Sequence, residues 1–265
     1  MSDNSNARFA AETGTGAQLR RLAGKSGPLI ALVALCLILS VLSPYFATAD
    51  NLTNVSRQVA FVALLAIGQT YVILTGGIDL SVAAVAALAA SVTTVLMTQP
   101  LALAGVQIGP MNPVLAIAIG LAVGTLCGAF NGWLIATFGI PDFIATLGTL
   151  TIYRGAALLV TNGLPVPSFQ SAEGGAPVAP FLIEAGTGSI LGVPISVLIT
   201  TIVALIAWWV LRYTAFGRAV FAVGGNREAA RISGISVGGT KIGVYAVSGL
   251  MAAIGGILLV GRLGS

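Results

Sequence analysis

The chain has 265 residues, of which 57% are apolar and only 8% charged, and its mean hydropathy is +1.00. A soluble domain carries about 25% charged residues, so these few charges cannot cover a water-exposed surface, and a soluble globular fold is excluded. The net charge of +4 on so apolar a chain concerns orientation in a bilayer rather than nucleic acid. Histidine is absent, which removes the commonest general base and metal ligand. The two cysteines, Cys36 and Cys127, lie inside apolar runs and read as small buried hydrophobes, without a disulfide or metal framework.

In chain order, residues 1–26 are polar and end on Arg20, Arg21 and Lys25, a composition that predicts a disordered, basic cytoplasmic tail. Residues 27–265 form one transmembrane domain. Its first run, Gly27 to Phe46, spans roughly 30 Å as a helix. It is longer than a signal core and lacks a small-residue cleavage site, so it reads as a retained span. Further spans are expected at Val59 to Leu74, Val82 to Met97, Pro113 to Ala136, Phe143 to Thr161, Ile190 to Leu211 and Ile242 to Val260. The predicted fold is an all-α, polytopic helical membrane protein with about seven transmembrane helices, since nothing alternates with the strand period.

Charge placement orients these spans. With a cytoplasmic N-terminus, the tail and the 212–241 loop hold nine of the twelve basic residues. The outside loops hold one, Arg57, as the positive-inside rule requires. The Gly/Pro-rich 162–189 segment, with only Glu173 and Glu184 charged, reads as a periplasmic loop. Trp208 and Trp209, just before Arg212, suit an aromatic belt at the inner interface.

Small residues mark the packing faces. Gly120, Gly124, Gly128 and Gly132 recur every four positions on one helical face, which lets another backbone approach. Ala83, Ala87 and Ser91, and Ser248, Ala252 and Gly256, are expected to act in the same way.

Three polar features at membrane depth stand out. In Thr75-Gly76-Gly77-Ile78-Asp79-Leu80-Ser81, Gly76 and Gly77 end one helix and Asp79 or Ser81 offers acceptors to the next, a helix break with its own cap. Capping accounts for Asp79; a place on a transport path is the alternative. In the run from Phe130 to Gly148, Pro141 forces Ile140 toward an extended conformation and turns the chain, and Asp142 is placed to cap the following helix. Asn131, Trp133 and Phe138 there combine an amide with aromatic faces, suited either to a polyhydroxylated ligand or to packing and interfacial anchoring. Arg154 lies near the middle of a predicted span, where a guanidinium requires a partner, snorkelling or a water-filled cavity.

A polar, basic island, Phe216 to Gly234, separates the last two apolar runs and contains Glu-Ala-Ala-x-x-x-Gly. A short helix on Glu228, Ala229 and Ala230, stopped at Gly234, presents a small apolar face to a partner groove, with Arg227 and Arg231 at its rim. An ordinary cytoplasmic loop obeying membrane topology is the other reading.

Together, Leu74 to Val82, the run from Phe130 to Gly155 with Gly148-Thr149-Leu150-Thr151-Ile152-Tyr153-Arg154-Gly155, and the Gly217 to Gly234 loop resemble the membrane subunit of the ribose, xylose, arabinose and galactose class of bacterial ABC importers. The resemblance covers the chain from about Pro28. It implies a multi-pass inner-membrane permease with a cytoplasmic N-terminus that forms a homodimer or pseudo-dimer around a translocation path. A periplasmic sugar-binding protein would deliver a monosaccharide, and ATP hydrolysis would reside in a separate cytoplasmic subunit, leaving this chain without catalytic residues or cofactor. Glu228, Ala229, Ala230 and Gly234 map onto the family's coupling helix, and Asp79, Asn131, Trp133, Phe138, Tyr153 and Arg154 become path candidates. Such permeases continue through further spans after the position of Ser265, so the resemblance implies a truncated chain.

Other classes fit less well. Gly24-Lys25-Ser26 has the end of a phosphate-binding loop, but Leu19 replaces its first glycine and no strand precedes it. A secondary transporter needs ionisable relays, for which only Asp79, Asp142 and Arg154 are available. A passive facilitator gives no reason for the Glu-Ala-Ala loop.

Overall fold

Each apolar run folds as a helix, and residue chemistry sets most of the ends. The computed structural model describes residues 15–103, 106–108, 110–166 and 176–264. Its helices are α1 (Thr15–Leu42), α2 (Ala49–Leu74), α3 (Val82–Thr98), α4 (Pro113–Phe138), α5 (Asp142–Val160), α6 (Pro180–Thr187), α7 (Ile195–Tyr213), α8 (Ala215–Gly225), α9 (Arg227–Ile232) and α10 (Val237–Leu263). The side chains of Asn112, Thr214, Asn226 and Ser236 accept from the first free amides of α4, α8, α9 and α10, as N-caps do. Gly139 and Gly264 close α4 and α10 in the left-handed conformation.

The elements are those expected, with differences. Helix α1 begins at Thr15, well before the predicted span at Gly27, so it includes part of the segment read as a disordered tail; residues 1–14 of that tail lie outside the described residues. Two short hairpins interrupt the helical pattern: β1 (Leu101–Leu103) pairs with β2 (Val106–Ile108), and β3 (Ser189–Ile190) with β4 (Val193–Pro194). The second hairpin delays α7 to Ile195 rather than Ile190. The segment expected as a plain loop over 162–189 contains α6; residues 167–175, with Glu173, lie outside the described residues.

By length and composition, five described helices can cross a membrane: α2, α4, α5, α7 and α10. The apolar part of α1, Leu29–Leu42, and the 17-residue α3 are shorter, so the expected seven is not reached on this measure.

Residues up to Asn54 and residues from Val55 form two compact units. In the first, the turn after α1 is held by Asn51 Nδ2 donating to the Phe46 carbonyl at 2.7 Å. In the second, α10 is central. A Cβ on Gly124, Gly128 or Gly132 of α4 would meet Ala253, Tyr245 or Ile242 of α10 at 2.5, 2.1 or 2.6 Å. Gly120 presses instead on Thr93 of α3, and Gly256 of α10 on the Ala86 carbonyl. Gly261 of α10 packs on the Leu182 carbonyl of α6, and Gly68 of α2 on the Ser248 backbone. Lipid tails are as apolar as the side chains, so such helices associate by close backbone approach and dispersion, which side-chain-free faces permit.

The glycine stripe of α4 and the Ser248, Ala252 and Gly256 stripe of α10 therefore pack as expected. The third stripe does not. Ala83 and Ala87 are exposed and line an open apolar groove of about 350 Å³ beside Phe61, Leu65 and Gly255. The buried face of α3 is the one carrying Val85, Ala89 and Thr93, because that face meets α4 and α10.

Candidate functional site

The break between α2 and α3 is built from its glycines. Gly76 adopts φ +71°, and the amides of Gly76 and Gly77 return to the carbonyls of Ile73 and Val72 at 2.8 and 3.0 Å. That pair of bonds is the Schellman closure of a helix. Asp79 then turns back: its Oδ1 accepts from the Ser81 amide at 2.9 Å and from Ser81 Oγ at 2.7 Å. The capping expected of Asp79 or Ser81 does not form: Ser81 is the N-cap residue of α3 without a side-chain cap bond, and Asp79 holds Ser81 itself rather than a first-turn amide.

From Asp79 a buried chain of hydrogen bonds crosses the bundle. Asp79 Oδ2 accepts from Ser248 Oγ of α10 at 2.9 Å, and Ser81 Oγ accepts from Asn131 Nδ2 of α4 at 2.8 Å. Asn131 Oδ1 accepts from the Tyr153 hydroxyl of α5 at 3.2 Å. Asp79, Ser81, Asn131 and Ser248 are all buried, with Tyr153 at 7% exposure. Gln69 of α2, with its amide oriented to suit, brackets the Asp79 backbone at 3.3 and 3.1 Å. Thr146 of α5 accepts from the Leu80 amide at 3.2 Å. Each polar group taken from solvent thereby finds a partner.

A second cluster lies under Gly77. Asp142, the first residue of α5, pairs with Lys241 Nζ of α10 and accepts from the Tyr245 hydroxyl at 2.9 Å. The Lys241 and Asp142 side chains are 4% and 14% exposed. This corrects the expectation that Asp142 caps α5: Pro141 holds the cap position, no side-chain cap forms, and the carboxylate reaches across to a cation instead. A buried lysine outcompetes free backbone amides because an unpaired charge there costs several kcal/mol. Tyr245 joins the two clusters because its one hydroxyl proton, held mainly by Asp142, is shared with the Ile78 carbonyl at 3.3 Å.

The Phe216 to Gly234 island folds as α8 and α9. Helix α9 stands where the Glu-Ala-Ala spacing placed it, and it ends in a second Schellman closure, with Gly234 at φ +81° and the Ile235 amide bonded to the Ala230 carbonyl at 3.0 Å. Ala230 is buried and anchors the helix, whereas Arg227, Glu228, Ala229 and Arg231 are exposed. Arg231 pairs with Glu228 at 2.7 Å on the surface. Arg227 reaches back to the break, its Nη2 donating to the Thr75 carbonyl at 3.4 Å.

Of the residues singled out from sequence, the structure thus brings Asp79, Asn131 and Tyr153 into one column, with Gly76 and Gly77 in the break just before Asp79. It leaves three apart. Trp133 and Phe138 are 43% and 61% exposed and join Phe130 in an aromatic ladder, with ring centroids 5.8 and 5.4 Å apart. Arg154 is exposed on the outer side of α5 and makes no ion pair or hydrogen bond among the described residues. Sequence reasoning missed Lys241 and Tyr245, having treated Lys241 as a loop cation. The available signal was spacing: Lys241, Tyr245 and Ser248 lie at i, i+4 and i+7, one face of one helix.

Residues 51–265 match the family model described as "Branched-chain amino acid transport system / permease component". The chain belongs to this permease family. The ribose import permease protein RbsC of Haemophilus influenzae is 36% identical over 94% of this permease and 72% of its own length. Its Bacillus subtilis counterpart is 39% identical over 91% and 70%. The D-allose transport system permease protein AlsC of Escherichia coli is 36% identical over 91% and 69%. No solved structure matches this permease. The motif-based resemblance to sugar-importer permeases is upheld by these relatives.

Proposed function

We propose that the chain is the membrane subunit of an ATP-driven importer of a ribose-like monosaccharide, with its nucleotide hydrolysis in a partner subunit. The names of the ribose and allose relatives support the choice of sugar. One observation carries the mechanism: α9 is anchored by buried Ala230 while Glu228, Ala229 and Ile232 face outward, Ile232 at 78% exposure. A short helix held rigidly from behind, with small and apolar groups in front, fits a partner's groove. A passive facilitator has no use for such a surface.

In this reading the 212–241 segment is the cytoplasmic coupling loop, the 162–189 segment is periplasmic, and the N-terminus is cytoplasmic. A periplasmic sugar-binding protein docks outside, and a second permease copy or homologue completes the path. Trp133, Phe138 and Arg154, exposed on this chain, are the path candidates this arrangement favours. The test is co-purification of the ATP-binding subunit with Ala229→Trp and Gly234→Trp, alongside sugar uptake. Both variants are expected to insert and fold yet lose the subunit and uptake together. Normal co-purification and uptake by Ala229→Trp would remove the docking assignment.

A further inference from the structure

We propose that the Thr75–Ser81 break is a mechanical joint through which α9 moves α5 against α10, with the buried Asp142–Lys241 pair as its pivot. The inference rests on the reading of α9 as the docking helix and goes beyond it. Two contacts connect α9 and its neighbour α8 to the break. A Cβ on Gly224 of α8 would lie 1.7 Å from the Leu74 carbonyl, so α8 rests directly on the last turn of α2. Arg227 of α9 donates to the next carbonyl, Thr75, at 3.4 Å. A cation on the free carbonyls at a helix C-terminus is a favourable, directional attachment.

Beyond Thr75 the chain has no side chain to absorb a displacement until Ile78. Gly77 lies against the pivot itself: a Cβ there would meet Asp142 Oδ2 at 2.2 Å, Tyr245 Oη at 3.0 Å and Lys241 Nζ at 3.1 Å. Asp142 begins α5, whereas Lys241 and Tyr245 belong to α10. Any shift of Thr75–Gly77 therefore acts at the one charged link between those two helices. The Asp79 column, with Ser248 on α10 and Tyr153 on α5 at its ends, holds the same helices one to several turns deeper. Two attachments at different depths make the movement a tilt, not a slide. Packed helices respond to a small push by switching between discrete arrangements, and a joint of glycines over a buried pair is a place where that switch is driven.

The experiment uses the permease assembled with its ATP-binding subunit and binding protein in proteoliposomes, reading sugar taken up per ATP hydrolysed. Arg227→Gln, at an exposed position that leaves folding intact, and Gly77→Ala, which wedges the pivot, are each expected to retain the ATP-binding subunit. Arg227→Gln is expected to lower uptake per ATP by about tenfold, the scale of one lost hydrogen bond to a charged group, and Gly77→Ala to lower it as well by holding the pivot apart. Gly120→Ala is the steric control, since its Cβ would meet Thr93 Oγ1 at 1.9 Å far from the joint; it is expected to lower the melting temperature and leave uptake per ATP unchanged. If Gly77→Ala behaves like Gly120→Ala, the joint is only packing and the proposal fails. Loss of the ATP-binding subunit from Arg227→Gln would assign Arg227 to docking and overturn the link. Ala229→Trp separates the two readings: retention of the subunit by that variant removes the docking assignment and the joint with it, whereas its loss leaves docking standing whatever Gly77→Ala shows.

Discussion

Gly128→Ala tests whether helix packing here depends on backbone proximity. The added Cβ would lie 2.1 Å from the Tyr245 carbonyl oxygen, 2.9 Å from its carbon and 3.0 Å from the Gly249 nitrogen. All three are backbone atoms, so no rotamer change relieves the overlap, and α4 and α10 must part by about 1 Å. A gap of that size forfeits about a quarter to a half of each contact's attraction, and it opens the Gly124 and Gly132 contacts together with that of Gly128. The expected cost is at the upper end of the range for overpacking, about 3 kcal/mol, against which alanine's helix propensity returns about 1 kcal/mol. Gly148→Ala on α5 is the comparison, because nothing lies within 4 Å of its added Cβ; it should gain about 1 kcal/mol. The two variants should differ by about 3 kcal/mol, or about 6–12 °C at the scaling of soluble domains of 150–250 residues. Thermal melts of the detergent-purified permease give the answer. If Gly128→Ala melts no lower than the parent protein, or alongside Gly148→Ala, the close α4–α10 approach is not what stabilises the bundle.

Three other outcomes are expected. Lys241→Met alone leaves Asp142 buried without its cation and should cost about 3–5 kcal/mol in the same melts, while Lys241→Met with Asp142→Leu should cost clearly less; equal losses would show that the pair is solvated. Arg154→Leu should leave the melt unchanged, because Arg154 has no partner among the described residues, but should lower sugar uptake without altering binding-protein affinity, with Arg154→Lys rescuing only in part. Full uptake by Arg154→Leu would mean that the side chain only reaches for the interface. Without Cys36 and Cys127, a cysteine at Leu191, which is 99% exposed, should react with an impermeant reagent on intact cells, and one at Ser233 should not. Labelling at Ser233 would reverse the assigned sidedness.

What was legible in the sequence had a local cause. Helix ends at Gly76 and Gly234 follow from residues that adopt a left-handed backbone without steric cost, and α9 follows from Glu228, Ala229 and Ala230 with the stop at Gly234. The glycine stripe of α4 was equally readable, since four-residue spacing fixes one face whatever lies opposite. The choice of partner was not. Asp142 has the position of an N-cap, and only the placement of Lys241, 99 residues away, takes its carboxylate elsewhere. Ala83 and Ala87 have the spacing of a packing face, yet the neighbours of α3 select the opposite side. Short hairpins such as Ser189–Ile190 with Val193–Pro194 carry too few residues for a strand period to register.

The hydrogen-bond inventory of the column bears on where a sugar can pass. A sugar crossing the bundle needs donors and acceptors that are free to exchange with its hydroxyls. Asp79 Oδ1 and Oδ2, Ser81 Oγ, Asn131 Nδ2 and Oδ1 and the Tyr153 hydroxyl are instead satisfied by one another, by Ser248 and by the Cys127 carbonyl, which shares the Tyr153 proton. Breaking into that chain would leave buried groups unpaired at about 1–3 kcal/mol each, a poor arrangement for rapid passage. Trp133, Phe138 and Arg154, exposed on α4 and α5, have no such commitments to the column. A lone guanidinium on an apolar helix cannot be left facing lipid without cost. In the proposed assembly with a second permease copy, water between the two chains would relieve that cost and would provide the medium a sugar needs. Under the function proposed above, the buried column is the part that holds the helices, and the exposed faces of α4 and α5 are where a sugar would pass.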